Sequence, residues 1–205
     1  MDSGRLEAFS DGVFAVAITL LALNLAVPGP GHGPLTRQLT DHWPSFAAYL
    51  VSFLTIGIIW VNHHTLFKNV ARIDRALLFL NLLMLFFVVA IPFATATIAA
   101  YLGHDAADTP LAAVVYQGVF EGMSLSFGVL FYWSIWRKHL KIALTPSAAR
   151  AAAIRFGAGN IAYLVAIGVA FLSAPASLLI SGLVAAYYVF EHIPARPGEA
   201  QPGTA

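Results

Sequence analysis

The 205-residue sequence contains no cysteine. That excludes a disulfide framework, a Cys-based zinc site, a thiol nucleophile and an iron–sulfur cluster. Charge is nearly as scarce: Asp, Glu, Lys and Arg make up 10% of the chain, against about 25% in a soluble domain. Eleven Lys and Arg stand against ten Asp and Glu, a formal net charge of +1. A nucleic-acid partner would call for a large basic excess, so none is expected. There is no Ser-His-Asp order, glycine-rich phosphate loop or intramembrane protease motif, and no enzymatic activity is expected. What is abundant is apolar surface. Hydrophobic residues reach 59% and the mean hydropathy is +0.77. A globule of 21.9 kDa cannot bury that much apolar surface, so its solvent is lipid.

A helix needs about 20 mostly apolar residues to cross the hydrocarbon core. Six stretches qualify, at about 9–27, 45–67, 75–102, 111–136, 148–172 and from the Ser173–Ala176 turn to Phe190. Open sheet edges are not tolerated in lipid, so all six are read as helices. The expected fold is an all-α integral membrane protein with six transmembrane helices in one unit, residues 1–192. A Pro- and Gly-rich tail at 193–205 is expected to be disordered and cytoplasmic. The first span is not read as a cleaved signal. Its leader has one Arg against Asp2 and Glu7, and its apolar run exceeds an ordinary signal core.

Cation placement sets the orientation. Arg5, Lys68, Arg72, Arg75, Arg137, Lys138, Lys141, Arg150, Arg155 and Arg196 fall on one side of the six-span arrangement, and Arg37 alone on the other. The positive-inside rule then puts both termini in the cytoplasm.

Polar groups inside spans are costly and therefore informative. Span 1 carries Ser10, Asp11, Thr19 and Asn24; span 2 carries Asn62, His63 and His64; span 3 has Asn81; span 4 has Gln117 and Glu121; span 5 has Asn160. His63 and His64 are adjacent, about 100° apart on a helix, and cannot chelate from one face. Spacing shows no third ligand, so no metal is expected and the pair is read as bonding to neighbouring helices. Glu121 lies between Gly118 and Gly122, a spacing that permits close helix approach. It reads equally as a packing acid or a functional one. No span is Arg-rich like a voltage sensor, and the Thr-Val-Gly-Tyr-Gly carbonyl filter is absent.

On a helix, Gly12, Val16, Thr19 and Leu23 of span 1 share a stripe, with Leu20 and Val27 at its edge. By itself this stripe reads as a packing face, with Thr19 bonding back to its own carbonyls.

Arg-x-x-x-Phe-Ser-Asp at Arg5, Phe9, Ser10 and Asp11 opens that span, and Gly-Val-Phe-Ala-Val-Ala-Ile-Thr-Leu-Leu follows from Gly12. Trp60-Val61-Asn62-His63-His64 ends the second span, and Leu78-Phe79-Leu80-Asn81 lies in the third. Together these resemble the signature of the transmembrane protein 175 family of potassium channels. The resemblance covers the first three spans with specific motifs, and the last three in number, length and orientation.

The resemblance implies one six-helix unit per chain, assembled as a homotetramer in the cell membrane, with potassium as the permeant ion and no cofactor. It implies a pore lined by the first helix and closed down by apolar side chains. Val16 falls at the narrowest ring, Leu20 and Leu23 lie one and two turns outward, and Thr19 contributes a hydroxyl ring that favours potassium over sodium. Ser10 and Asp11 would join Trp60, His63, His64 and Asn81 in a polar network whose histidines make gating pH-sensitive. Two departures stand out. Val16 is smaller than the Ile or Leu expected there, and Asn24 replaces a common acid near the outer mouth. The alternative is a proton-coupled secondary transporter using Glu121, Asp11 and His63/His64.

Overall fold

The computed structural model describes residues 3–102 and 107–190; the tail expected at 193–205 lies outside them. The described residues form helices α1 (Ser3–Leu20), α2 (Leu35–Asp41), α3 (Trp43–Asn69), α4 (Arg75–Leu102), α5 (Thr109–Trp136), α6 (Pro146–Ala170) and α7 (Ala174–Phe190). Five of these regions are long and apolar enough to cross a membrane: Gly4–Leu23, α3, α4, α5 and α6. The sixth apolar helix, α7, has 17 residues. By length and composition these are the helices of a multi-pass membrane protein.

Three local features go beyond the pattern of apolar spans. First, the helix expected to run to Val27 changes winding at its C-terminal end. Leu21–Leu25 is a 3-10 segment, and the chain is extended by Ala26. Second, the Pro-Gly run after it is a built turn. Gly29, Gly31 and Gly33 all take positive φ, which only glycine adopts without cost. The Gln38 side chain staples that turn, accepting from Gly29 N–H and donating to the Gly29 and Gly33 carbonyls, each at 2.9 Å. Third, α2 lies outside every expected span. It is too short to cross anything, and it holds the buried Gln38.

α4 packs along α5 and α3, with α1 laid against α3 and α4 and with α7 against α3 and α6. Lipid removes most of the hydrophobic drive between helices, so side-chain fit and interhelical hydrogen bonds hold the bundle. Gly122 shows the fit: a Cβ there would overlap the Phe87 ring of α4. Gly118, the other half of the expected small-residue pair, faces open space. Ser52 of α3 bonds Thr95 of α4 at 2.7 Å and Tyr116 of α5 at 3.0 Å, all three buried. Gln117 of α5 donates to the Ser177 carbonyl at 3.0 Å and accepts from Ser181 at 2.7 Å, tying α7 in.

At the basic end of the bundle the α3–α4 and α5–α6 connections are joined. Lys138 turns the chain with a left-handed φ of 54°. The next residues reach across: Ala71 N–H donates to the His139 carbonyl at 2.7 Å, and Lys141 N–H to the Asn69 carbonyl at 2.7 Å. Asp74 sits at this junction. It caps α4 by accepting from Leu77 N–H at 2.7 Å, and accepts from the Trp133 indole at 3.1 Å. His139 Nε2 lies 3.5 Å away and Arg137 Nε 4.0 Å. Partial burial alone would raise the Asp74 carboxyl. The two N–H donors and the neighbouring His139 and Arg137 outweigh it and hold that carboxyl below its usual range.

Candidate functional site: the two faces of the first helix

α1 has two faces of different character. Leu6, Ser10, Phe14, Ala17 and Leu21 recur at helical spacing and are 0–3% exposed against the bundle. On the far side Val16 is 57% exposed, Leu20 39% and Leu23 72%, with Gly12 and Thr19 exposed beside them. The uncovered stripe carries a glycine and a hydroxyl among its apolar residues. The 3-10 winding also matters here. With three residues per turn, Leu23 stands directly over Leu20 instead of drifting from it.

Thr19 donates its hydroxyl hydrogen back to the helix, to the Ala15 and Val16 carbonyls at 3.0 and 2.8 Å. This is the ordinary habit of a helical threonine. It also has a chemical consequence. With its hydrogen committed inward, the oxygen presents only lone pairs outward, the polarity a cation requires.

The N-terminal half of the buried face carries a directional hydrogen-bond chain. His63 Nε2 and Asn81 Oδ1 are 2.8 Å apart, Asn81 Nδ2 donates to Ser10 Oγ at 3.0 Å, and Ser10 donates to the Leu6 carbonyl at 2.9 Å. Each link uses one donor and one acceptor, so His63 must carry its proton on Nε2. Ser10, His63 and Asn81 are completely buried. The His63 ring stacks on Phe67 at 4.2 Å and meets Phe14 at 5.4 Å. Beside this chain, Trp60 Nε1 donates to Asp11 Oδ1 at 2.9 Å, and Trp60 stacks on His64 at 5.7 Å. Three helices (α1, α3 and α4) thus meet at Ser10, Asp11, Trp60, His63, His64 and Asn81.

Not every residue of the motif joins them. Arg5 is exposed and makes no ion pair among the described residues. Phe9 is 51% exposed and lines an open apolar groove of about 350 Å³ with Val13, Leu82, Phe86 and Val89. Glu121 stands apart from the α1 network on α5. Its Oε2 is shut off from solvent with no hydrogen-bond partner among the described residues. Glu7, which the motif passes over, lies 2.8 Å from His64 Nδ1. Its spacing to Asp11, four residues on, places both carboxylates on one face.

Proteins similar to this chain in sequence and in structure point to one family. A family model described as "Endosomal/lysosomal potassium channel TMEM175" matches residues 5–92, the stretch holding α1, α3 and most of α4. A Streptomyces collinus protein named as a potassium channel is 52% identical over 202 residues, which covers 97% of each chain. A Chamaesiphon minutus protein also named as a potassium channel is 40% identical over 194 residues, covering 91% of this chain and 93% of the relative. The crystal structure of a lysosomal potassium-selective channel TMEM175 homolog from Chamaesiphon minutus superposes with a TM-score of 0.80 at 37% identity, covering 91% of this chain and 96% of that one. The chain belongs to the TMEM175 family.

Proposed function

We propose that the protein is a potassium-permeable channel of the cell membrane. In this reading the chain spans the membrane six times with both termini cytoplasmic, and assembles as a homotetramer around α1. The observation that carries it is the uncovered α1 stripe of Gly12, Val16, Thr19, Leu20 and Leu23 on a helix whose other face is fully packed. The names of the Streptomyces collinus and Chamaesiphon minutus relatives, each matched over more than nine-tenths of this chain, support potassium as the ion. The joined basic connections at one end of the bundle support the orientation. α7, about 25 Å long, falls short of a bilayer core of about 30 Å. A short span is accommodated by local thinning.

The physics of conduction follows from the side chains. Four Val16 side chains form a constriction that water leaves readily, so the barrier to an ion is dehydration. One turn outward, four outward-facing Thr19 oxygens replace part of the lost hydration. A few neutral oxygens favour the more easily dehydrated ion, which is potassium over sodium. Leu20 and Leu23 extend the apolar lining toward the outer mouth.

The test is cation flux from proteoliposomes holding purified protein. The expected outcomes are potassium flux exceeding sodium flux, a smaller ratio in Thr19→Ala, and a larger flux in Val16→Ala. Folded protein that passes no potassium under any gradient or pH would refute the reading. The unpartnered Glu121 Oε2 favours one other reading, a proton-coupled transporter. That reading requires a saturable flux that Glu121→Gln abolishes.

A further inference from the structure

We infer that Glu7, Asp11 and His64 form a binding site for a divalent transition-metal ion of the zinc class, bridging the inner ends of α1 and α3. Each residue offers one ligand atom, and the three atoms lie within 4.8 Å of one another. Two helices supply them in register. Glu7 and Asp11 are one turn apart on α1, and His64 faces them from α3, one turn beyond Trp60.

A cluster of this kind is often satisfied internally, and here it is not. His64 Nδ1 lies 2.8 Å from Glu7 Oε1. Yet that nitrogen is shut off from solvent and makes no properly directed hydrogen bond among the described residues. Two electronegative atoms in close contact without a properly directed proton between them are what a cation would resolve. Zinc takes His nitrogen and carboxylate oxygen at about 2.0–2.2 Å. In tetrahedral geometry those bonds put ligand atoms about 3.3 Å apart, so the Nδ1–Oε1 pair need open by only about 0.5 Å.

The surroundings match a metal site in other ways. Trp60 Nε1 donates to Asp11 Oδ1 at 2.9 Å, orienting that carboxylate as outer partners of metal ligands do. The His64 ring is fixed by stacking on Trp60. The side chains of His64 and Glu7 are 31% and 20% exposed, so an ion can enter and water can complete the coordination. Two carboxylates neutralise a divalent charge, and no Lys or Arg pairs with either among the described residues. One imidazole nitrogen among oxygens suits zinc, and does not suit magnesium, which takes oxygen alone and keeps its waters. The site stands on the α1–α3 contact whatever ion the protein conducts.

Equilibrium dialysis of purified, monodisperse protein against zinc in excess magnesium tests this. The expected result is one zinc per chain and a zinc-induced rise in the thermal unfolding temperature. Loss of an outer partner alone weakens metal sites about 10–100-fold. Glu7→Gln and His64→Gln should therefore each weaken binding by at least about tenfold and remove the thermal shift, while His32→Gln with His42→Gln changes neither. Less than one zinc per wild-type chain, or wild-type affinity in both Glu7→Gln and His64→Gln, overturns the site.

Discussion

Replacing Asn81 with leucine keeps the branched outline of the side chain while deleting both of its polar functions. Asn81 is completely buried and makes two bonds, to His63 Nε2 at 2.8 Å and to Ser10 Oγ at 3.0 Å. Ser10 survives the change, since its own hydrogen still reaches the Leu6 carbonyl. His63 does not. Its Nδ1 already has no hydrogen-bond partner among the described residues, so losing the Nε2 acceptor leaves both ring nitrogens unsatisfied. A buried donor stripped of its partner costs about 1–3 kcal/mol, whereas the bond itself, in membrane proteins, averages about 0.6 kcal/mol. The desolvation term therefore dominates, and Asn81→Leu should destabilise by about 1–3 kcal/mol. Removing the other partner as well should relieve much of this. His63→Phe keeps a ring to stack on Phe67, and the double variant should cost less than the sum of the singles by about 1 kcal/mol. Reversible unfolding of the four proteins in mixed micelles measures the cycle. An Asn81→Leu cost below about 0.5 kcal/mol, or strictly additive singles, would refute the argument.

Gly122→Ala places a methyl group on the Phe87 ring and should cost about 1–3 kcal/mol by overpacking, whereas Gly118→Ala, with open space around it, should cost under about 0.5 kcal/mol. The comparison is one of thermal unfolding. The Asp74 carboxyl is held below its usual pKa. Its charge therefore stabilises the fold fully above about pH 3.8, the ordinary value, and that contribution fades as acid titrates the folded state. Asp74→Asn should lower the unfolding temperature at pH 7, and the gap from wild type should narrow on acidification below pH 3.8. A gap that stays constant across that range would contradict the assignment.

The helices were legible in the sequence for a plain reason: a membrane segment must be long, apolar and internally bonded, so composition and length suffice to find it. The α1 stripe was legible as a spacing, since Gly12, Val16, Thr19 and Leu23 recur at helical intervals, but the same spacing suits a packing face, and its exposure was not legible. Features set by side chains meeting across the chain were not. Gln38 looks like one more polar loop residue until its three bonds to the Gly29–Gly33 turn are seen. Glu7 belongs to no motif, and the adjacency of His63 and His64 argued against chelation. In the structure they diverge. His63 turns inward to Asn81, and His64 turns toward two carboxylates 53 and 57 positions earlier in the chain. Asp74 did leave a trace in the sequence, as an acid standing just before an apolar run, the usual mark of a helix start. Its second partner, Trp133, is 59 residues away and left none.

The 3-10 segment at Leu21–Leu25 makes the C-terminal end of the first helix a screw thread of a different pitch. A 3-10 turn advances about 2.0 Å and 120° per residue, an α turn about 1.5 Å and 100°. Rewinding these five residues into α-helix would shorten that end by about 2.5 Å and swing Leu23 about 60° away from its place above Leu20. Length and lining are therefore coupled at this end. The helix cannot shorten there without also changing which side chain continues the exposed stripe of Val16 and Leu20.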